Sequence, residues 1–136
     1  MRVLIFGKKG FLASKLRKYF NKKNISATFI GSNYIDLTKK SSAKKLKKYN
    51  KKCKIIFLSA LTPDRGKDEK VFIKNISMIT NLFANISEKN IEHLIYISSD
   101  AVYNLNQQKI TNNTSPHPSD LYGLMHFSRE NICNFK

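Results

Sequence analysis

The sequence is poor in cysteine, proline and glycine and has no tryptophan. Its two cysteines, Cys53 and Cys133, exclude a disulfide framework and a multi-cysteine zinc site, and they indicate a reducing compartment, so we expect a cytoplasmic protein. With 3 Pro and 5 Gly among 136 residues, 41% hydrophobic residues and 15 Phe and Tyr, a disordered chain is also excluded. These proportions are typical of one globular domain.

Long hydrophobic runs are missing as well. No run approaches the ~18 apolar residues of a membrane-spanning helix. The opening run Val3–Phe6 is too short for a signal peptide. We therefore expect neither a membrane partner nor a secretory leader.

Acidic residues are scarce in the first two-fifths of the chain. Residues 1–54 carry 17 Lys and Arg and one acid, Asp36, whereas residues 55–136 carry eight of each sign. One hypothesis is an anion-binding half for nucleic acid or nucleotide phosphates. However, 21 of the 25 basic residues are Lys, without the Arg forks and interleaved aromatics of nucleic-acid readers, which favours solvated helix faces.

The apolar residues alternate between two periods along the chain. Short continuous apolar runs predict strands at 2–6, 26–30, 54–58 and 94–98. Apolar residues three and four positions apart predict four helices: from 10 to about 21, at 40–51 with Thr38 as N-cap, at 68–87, and from 120 to the end. Strand–helix alternation with buried strands predicts an α/β fold, a doubly wound parallel sheet of Rossmann type. We expect one domain over residues 1–136.

A glycine turn joins the first strand to the first helix. Gly7 suits the sharp turn, Gly10 lets backbone approach a pyrophosphate at the helix N-terminus, and Ala13 allows close helix–strand packing. The alternative is an ordinary turn without a ligand.

A second group of polar residues lies in the last third. Ser98 and Ser99 end the fourth strand, and Tyr122 and His126 share a helix face because they are four residues apart. A serine hydroxyl, a phenol and a base can polarise a carbonyl and transfer a proton. The alternative is a capping serine, a packing tyrosine and a solvated surface histidine.

The stretch Val3–Ala13 resembles the amino-terminal glycine signature of extended short-chain dehydrogenases/reductases. Within that family the chain is most similar to nucleotide-sugar epimerases, dehydratases and 4-keto reductases. Further stretches fit the family in order: Asp36–Thr38, Ile55–Ala60, Asn75 with Asn81 and Leu82, Tyr96–Tyr103 and Leu121–Gly123.

The resemblance implies specific roles. Ser99 would hydrogen-bond the sugar C4 oxygen, and Tyr122 would be the general acid/base on it. His126, at the position of the family's lysine, would be the third catalytic residue. The cofactor NAD or NADP would be bound by Gly7, Lys9, Gly10, Phe11 and Leu12 at the pyrophosphate, by Ser32, Asp36, Leu37, Ser59, Ala60 and Leu61 around the adenosine, and by Asn75, Tyr122 and His126.

Three departures from the family pattern matter. His126 replaces the family's lysine, which lowers the pKa of the tyrosine by its fixed charge. No acid follows the second strand, where Gly31–Asn33 lies, and this favours NADP over NAD. Family members are about twice as long, so we expect a truncated fold that lacks the substrate region and ends in the Tyr122 helix.

We therefore expect an NAD(P)-dependent enzyme acting on a nucleotide sugar, with no metal and with a homodimer possible. The alternatives are a Rossmann module that binds a dinucleotide without chemistry, and a basic nucleic-acid-binding protein.

Overall fold

The sheet has four parallel strands. The computed structural model describes residues 2–106 and 108–135. The strand order is β2-β1-β3-β4, with β1 at Val3–Phe6, β2 at Ala27–Ile30, β3 at Cys53–Phe57 and β4 at Ile91–Tyr96.

Strand β1 is the centre of the core. All four of its side chains are buried, and it pairs with β2 on one side and β3 on the other, Phe6 lying opposite Ile30 and Phe57. The chain thus passes from β1 to β2 on one side of β1, and β3 then pairs with β1 on the opposite side. This reversal creates the switch point at which doubly wound sheets bind ligands, beyond the carboxyl ends of their strands. The predicted Rossmann-type fold is confirmed.

Helices follow the strands in sequence. They are α1 at Phe11–Lys22, α2 at Lys40–Ala43, α3 at Glu69–Phe83 and α4 at Leu121–Asn134.

The prediction of one continuous α-helix over 40–51 is wrong. Helix α2 has only four residues and continues as a 3-10 helix over Lys44–Tyr49. In a 3-10 helix, residues three positions apart lie on the same face, so Leu46 and Tyr49 are both buried in the core. Thr38 is not the N-cap, which is Lys39; the Thr38 hydroxyl is hydrogen-bonded to the Asp36 carboxylate.

Strand β4 begins earlier than predicted. It covers Ile91–Tyr96 rather than 94–98, and it is an edge strand whose side chains are half-buried or exposed. Its first half contains Glu92 and His93, so apolar content could not reveal it. Helix α3 also ends at Phe83, before the predicted 87.

The chain forms two compact units. The first comprises Met1–Ala60 with Ser77–Ile97, and the second comprises Leu61–Ile76 with Ser98–Lys136. Within the described ranges, no helix has the length and apolar content to cross a membrane.

Candidate active site

In the first unit, Gly7 makes the turn out of β1. Its φ is +103°, a conformation that favours glycine, and an added Cβ would lie 3.1 Å from the carbonyl carbon of Leu58. The backbone N–H groups of Gly7 and Lys8 donate to the Ile30 carbonyl, at 3.1 and 3.2 Å. The turn is therefore held against the carboxyl ends of both strands that flank β1.

Gly10 leaves the N-terminus of α1 accessible. It is the N-cap, no side chain caps the helix, and the first turn has no acid. A Cβ added at Gly10 would meet only the Gly7 carbonyl oxygen, at 3.4 Å. Phe11 and Leu12 are exposed, as is Lys9. The first-turn N–H groups of α1, which a helix cannot pair internally, are therefore available to bind an anion.

A lysine lies across the end of β2. Gly31 follows β2 directly, and a Cβ added there would lie 3.1 Å from Lys8 Cβ and 3.6 Å from Lys8 Cδ. Lys45 Nζ donates to the Tyr34 carbonyl at 3.4 Å. Ser32, which directly follows Gly31, is exposed. The loop after β2 therefore combines exposed donors with positive charge.

Asp36 and Leu37 have local structural contacts. Asp36 Oδ1 accepts from the Thr38 backbone N–H at 3.0 Å, and Asp36 Oδ2 lies 3.8 Å from Lys39 Nζ. Leu37 is buried, and its carbonyl accepts from Asn81 Nδ2 at 2.8 Å. These contacts fix the segment that the resemblance places beside adenine.

Ser59 and Ala60 lie at the adjacent strand end. Both are half-buried and directly follow β3 and Leu58. Because β1 and β3 are parallel neighbours, Ser59 and the Gly7 turn share one edge of the sheet.

In the second unit, Gly123 sets the position of α4. An added Cβ would lie 2.0 Å from the Ala101 carbonyl oxygen, so only glycine permits this contact. Asp120 caps the same helix, its Oδ1 accepting from the Gly123 N–H at 2.8 Å. The start of α4 is thereby held against the Asp100–Val102 turn that follows Ser99.

This contact brings Ser99 and Tyr122 together. The Ser99 side chain lies close enough to the Tyr122 phenol to influence its pKa. Ser99 Oγ accepts from the Ala101 N–H at 3.2 Å and donates to Asp100 Oδ1 at 3.1 Å. Burial raises the pKa of Tyr122, and the Ser99 side chain opposes that increase.

His126 is buried beside the phenol. Its side chain is 3% exposed, and its ring meets the Tyr122 ring edge-on at a centroid distance of 4.7 Å. Burial, followed by the charge of Arg129, lowers the pKa of His126 to about 4. The solvated-surface alternative for His126 is therefore wrong, and the imidazole is neutral at pH 7.

Asn75 links α3 to the segment after β3. It is 1% exposed. Its Oδ1 accepts from the Leu61 N–H at 2.8 Å and its Nδ2 donates to the Leu61 carbonyl at 3.0 Å. Asn75 thus fixes Leu61, the next residue of the predicted adenosine lining.

Sequence reasoning missed two residues here. It gave Gly123 no steric role, and it did not single out Arg129, which is fully buried and whose Nε donates to the Asn75 carbonyl at 2.9 Å. The sequence did contain a signal for Arg129. It lies seven residues after Tyr122, and residues two helical turns apart share a helix face.

A small cleft lies next to Tyr122. It is lined by nine residues and has a cavity volume of about 10 Å³, room for about one water molecule. The lining includes Gly66, Val71, Asn75, Tyr122 and Met125. This cleft is too small for a sugar.

Within residues 2–106 and 108–135, no three His, Cys, Asp or Glu side chains are grouped so that they could hold a metal ion. Cys53 and Cys133 are free thiols, and burial raises the pKa of Cys133 to about 11.

Residues 1–134 match the family model described as RmlD substrate binding domain. The chain belongs to this family. The resemblance to extended short-chain dehydrogenases/reductases is thereby confirmed. No curated protein matches the chain by sequence.

Solved structures share the fold. A dTDP-4-dehydrorhamnose reductase from Clostridium acetobutylicum is 23% identical with a TM-score of 0.82, over 99% of this chain and 49% of that one. A UDP-glucose 4-epimerase from Thermus thermophilus, in complex with NAD, is 16% identical with a TM-score of 0.84, over 99% and 50%. A GDP-L-fucose synthetase from Naegleria fowleri, bound to NADP, is 20% identical with a TM-score of 0.78, over 98% and 47%. The chain therefore spans about half the length of these structures.

Proposed function

We propose that this chain is the dinucleotide-binding part of an NAD(P)-dependent enzyme that oxidises, reduces or epimerises a nucleotide sugar. The observation that carries the proposal is that the start of α4, held against the Ala101 carbonyl at Gly123, brings Tyr122 close to Ser99 and next to a buried His126. The family membership and the solved nucleotide-sugar reductase and epimerase support the substrate class.

Tyr122 is the proton-transfer residue in this proposal. When bound, the nicotinamide cofactor would supply or accept a hydride at the sugar carbon. The Tyr122 hydroxyl would donate a proton to the C4 oxygen during reduction and accept it during oxidation. Ser99 Oγ would hold the same oxygen, because its position is set by the Ala101 N–H and the Asp100 carboxylate.

The glycine turn fits the cofactor's pyrophosphate. The uncapped α1 N-terminus and the open space at Gly10 would accept it through the backbone of Lys9, Gly10, Phe11 and Leu12. Lys8 across Gly31 and exposed Ser32 favour NADP, whose 2′-phosphate requires donors and positive charge.

The decisive variant is Tyr122→Phe. Assayed on a panel of 4-keto nucleotide sugars with NADPH in the full-length protein, it should lose at least about 100-fold in turnover, because general acid catalysis is removed. Cofactor affinity should stay close to wild type, since the ring remains. Wild-type turnover in Tyr122→Phe would refute the catalytic role.

A second candidate function is a dinucleotide-binding module without chemistry. The neutral, buried His126 favours it, because Tyr122 has no cation at that position. This candidate predicts an increase in melting temperature with NADPH but no turnover of any nucleotide sugar in the wild-type protein.

A further inference from the structure

Arg129 is a fully buried cation in the second unit. Burying a charge is costly unless it is hydrogen-bonded, and an apolar side chain of similar size would fill the same space at lower cost. Arg129 lies two helical turns after Tyr122 and one turn after His126, so all three occupy one face of α4.

The guanidinium of Arg129 is held in place. Its Nε donates to the Asn75 carbonyl oxygen at 2.9 Å, and Nη2 donates to that oxygen and to Asn75 Oδ1, the latter at 3.1 Å. Asn75 is itself fixed by two hydrogen bonds to the Leu61 backbone. The planar Arg129 guanidinium, hydrogen-bonded to Asn75 in this way, has little freedom to move, so its positive charge stays in one place.

Tyr122 and Asn75 line the same small cleft, and the Arg129 guanidinium is hydrogen-bonded to Asn75. Ser99, Asp100, Asp120 and Arg129 are the groups that influence the pKa of the Tyr122 phenol, Arg129 as a cation and the two aspartates as anions. His126 touches the ring but is neutral near pH 7. Among these groups, the permanent positive charge belongs to Arg129.

We propose that Arg129 is a positioning residue whose guanidinium, anchored on Asn75, gives Tyr122 a fixed positive charge. This rests on the proposed function for its catalytic meaning. The charge favours phenolate over phenol and so eases proton transfer, and it adds to the effect of burial in lowering the pKa of the His126 imidazole.

The test measures protonation directly. We would titrate the chain by NMR with ¹³Cζ-labelled tyrosine and ¹⁵N-labelled histidine, assigning the signals with Tyr122→Phe and His126→Gln. Two neutral variants, Arg129→Met and Arg129→Gln, should raise the midpoints of both His126 and Tyr122 by about one unit, a tenfold change in each equilibrium. Arg129→Gln retains an amide donor for Asn75 and is used if Arg129→Met does not fold.

Arg65→Met is the matched control, since it removes an exposed cation of the same unit. It should leave both midpoints unchanged. Unchanged midpoints in a folded, neutral Arg129 variant would overturn the proposal, because a merely structural arginine alters stability but not these equilibria.

Activity gives an independent second readout. The pH at which turnover rises in the oxidation direction should increase by the same unit in the neutral variants, because that limb reports deprotonation of Tyr122. The titrations need no substrate. Failure of Tyr122→Phe to abolish turnover would therefore refute the proposed function while leaving the charge effect measurable.

Discussion

Gly10 is the residue at which backbone and ligand are expected to meet. Its φ of −73° and ψ of 160° are accessible to any L-residue, and a Cβ there contacts only the Gly7 carbonyl. Gly10→Val should therefore fold, losing about 1 kcal/mol for a poor N-cap, yet its side chain should fill the space proposed for the pyrophosphate. We expect loss of NADPH binding, measured by calorimetry.

Ser14→Val is the control for Gly10→Val. Ser14 is exposed on the same helix, one turn further along, so the variant introduces the same β-branched side chain away from the turn. It should bind NADPH as wild type does. A folded Gly10→Val protein with unchanged affinity would contradict the phosphate assignment.

The buried His126 predicts a pH-dependent stability. Its pKa falls from the ordinary 6.5 to about 4 on folding, so the unfolded chain binds the proton more tightly. The free energy of unfolding should hence decrease as pH falls from about 6.5 to 4, by about 3 kcal/mol in total. Urea unfolding at several pH values measures this.

His126→Gln separates this effect from that of the carboxylates. The variant lacks the titrating group, so the unfolding free energy of wild type minus that of the variant should decrease by about 3 kcal/mol as pH falls through that range. A constant difference between pH 7 and pH 4 would show that the imidazole is not held neutral.

At the scale of elements, the position of α4 depends on the absence of one side chain. The Ala101 carbonyl occupies the space that a Cβ of Gly123 would need. Gly123→Ala should therefore displace the start of α4 and destabilise the protein by about 3 kcal/mol, near the upper end for overpacking. The proximity of Ser99 and Tyr122 should be lost as well. Chemical denaturation and the NMR titration of Tyr122 report the two effects.

Leu124→Ala is a control that changes the side chain at the next residue to the same alanine. Leu124 is 40% exposed, so its truncation should cost less than about 1 kcal/mol and leave the Tyr122 titration unchanged. Equal stability losses in the two variants would contradict the steric role of Gly123.

At the scale of the whole molecule, the positive charge of the first 54 residues should influence cofactor choice. Lys8 packs across Gly31 at the end of β2, where the resemblance places the adenosine ribose. We expect NADP(H) to bind more tightly than NAD(H), and Lys8→Met to remove at least half of that difference in binding free energy. Calorimetry with both cofactors at one salt concentration measures it.

Lys40→Met is the matched control, because Lys40 is an exposed lysine of α2. It removes the same charge and should leave the ratio of the two affinities unchanged. Equal affinities of the wild-type protein for NADP(H) and NAD(H) would refute the predicted preference.

The sequence alone determined what depends on local periodicity and local sterics. The parallel strands and most helices were predictable because burial on both faces produces continuous apolar runs, and amphipathic helices repeat every three to four residues. The Gly7 turn was predictable for the same reason, since its conformation depends on its own backbone. Helical spacing likewise placed Tyr122 and His126 on one face.

Only the tertiary structure decided which polar residues are buried and what they contact. Arg129 stands between a serine and a glutamate and resembles a surface residue, yet it is fully buried on Asn75, 54 positions earlier in the chain. The steric need for Gly123 comes from a carbonyl 22 residues away. The edge strand β4 and the 3-10 helix after α2 were also mispredicted, because their form depends on packing partners distant in sequence. Local sequence patterns do not reveal contacts with partners so distant in the chain.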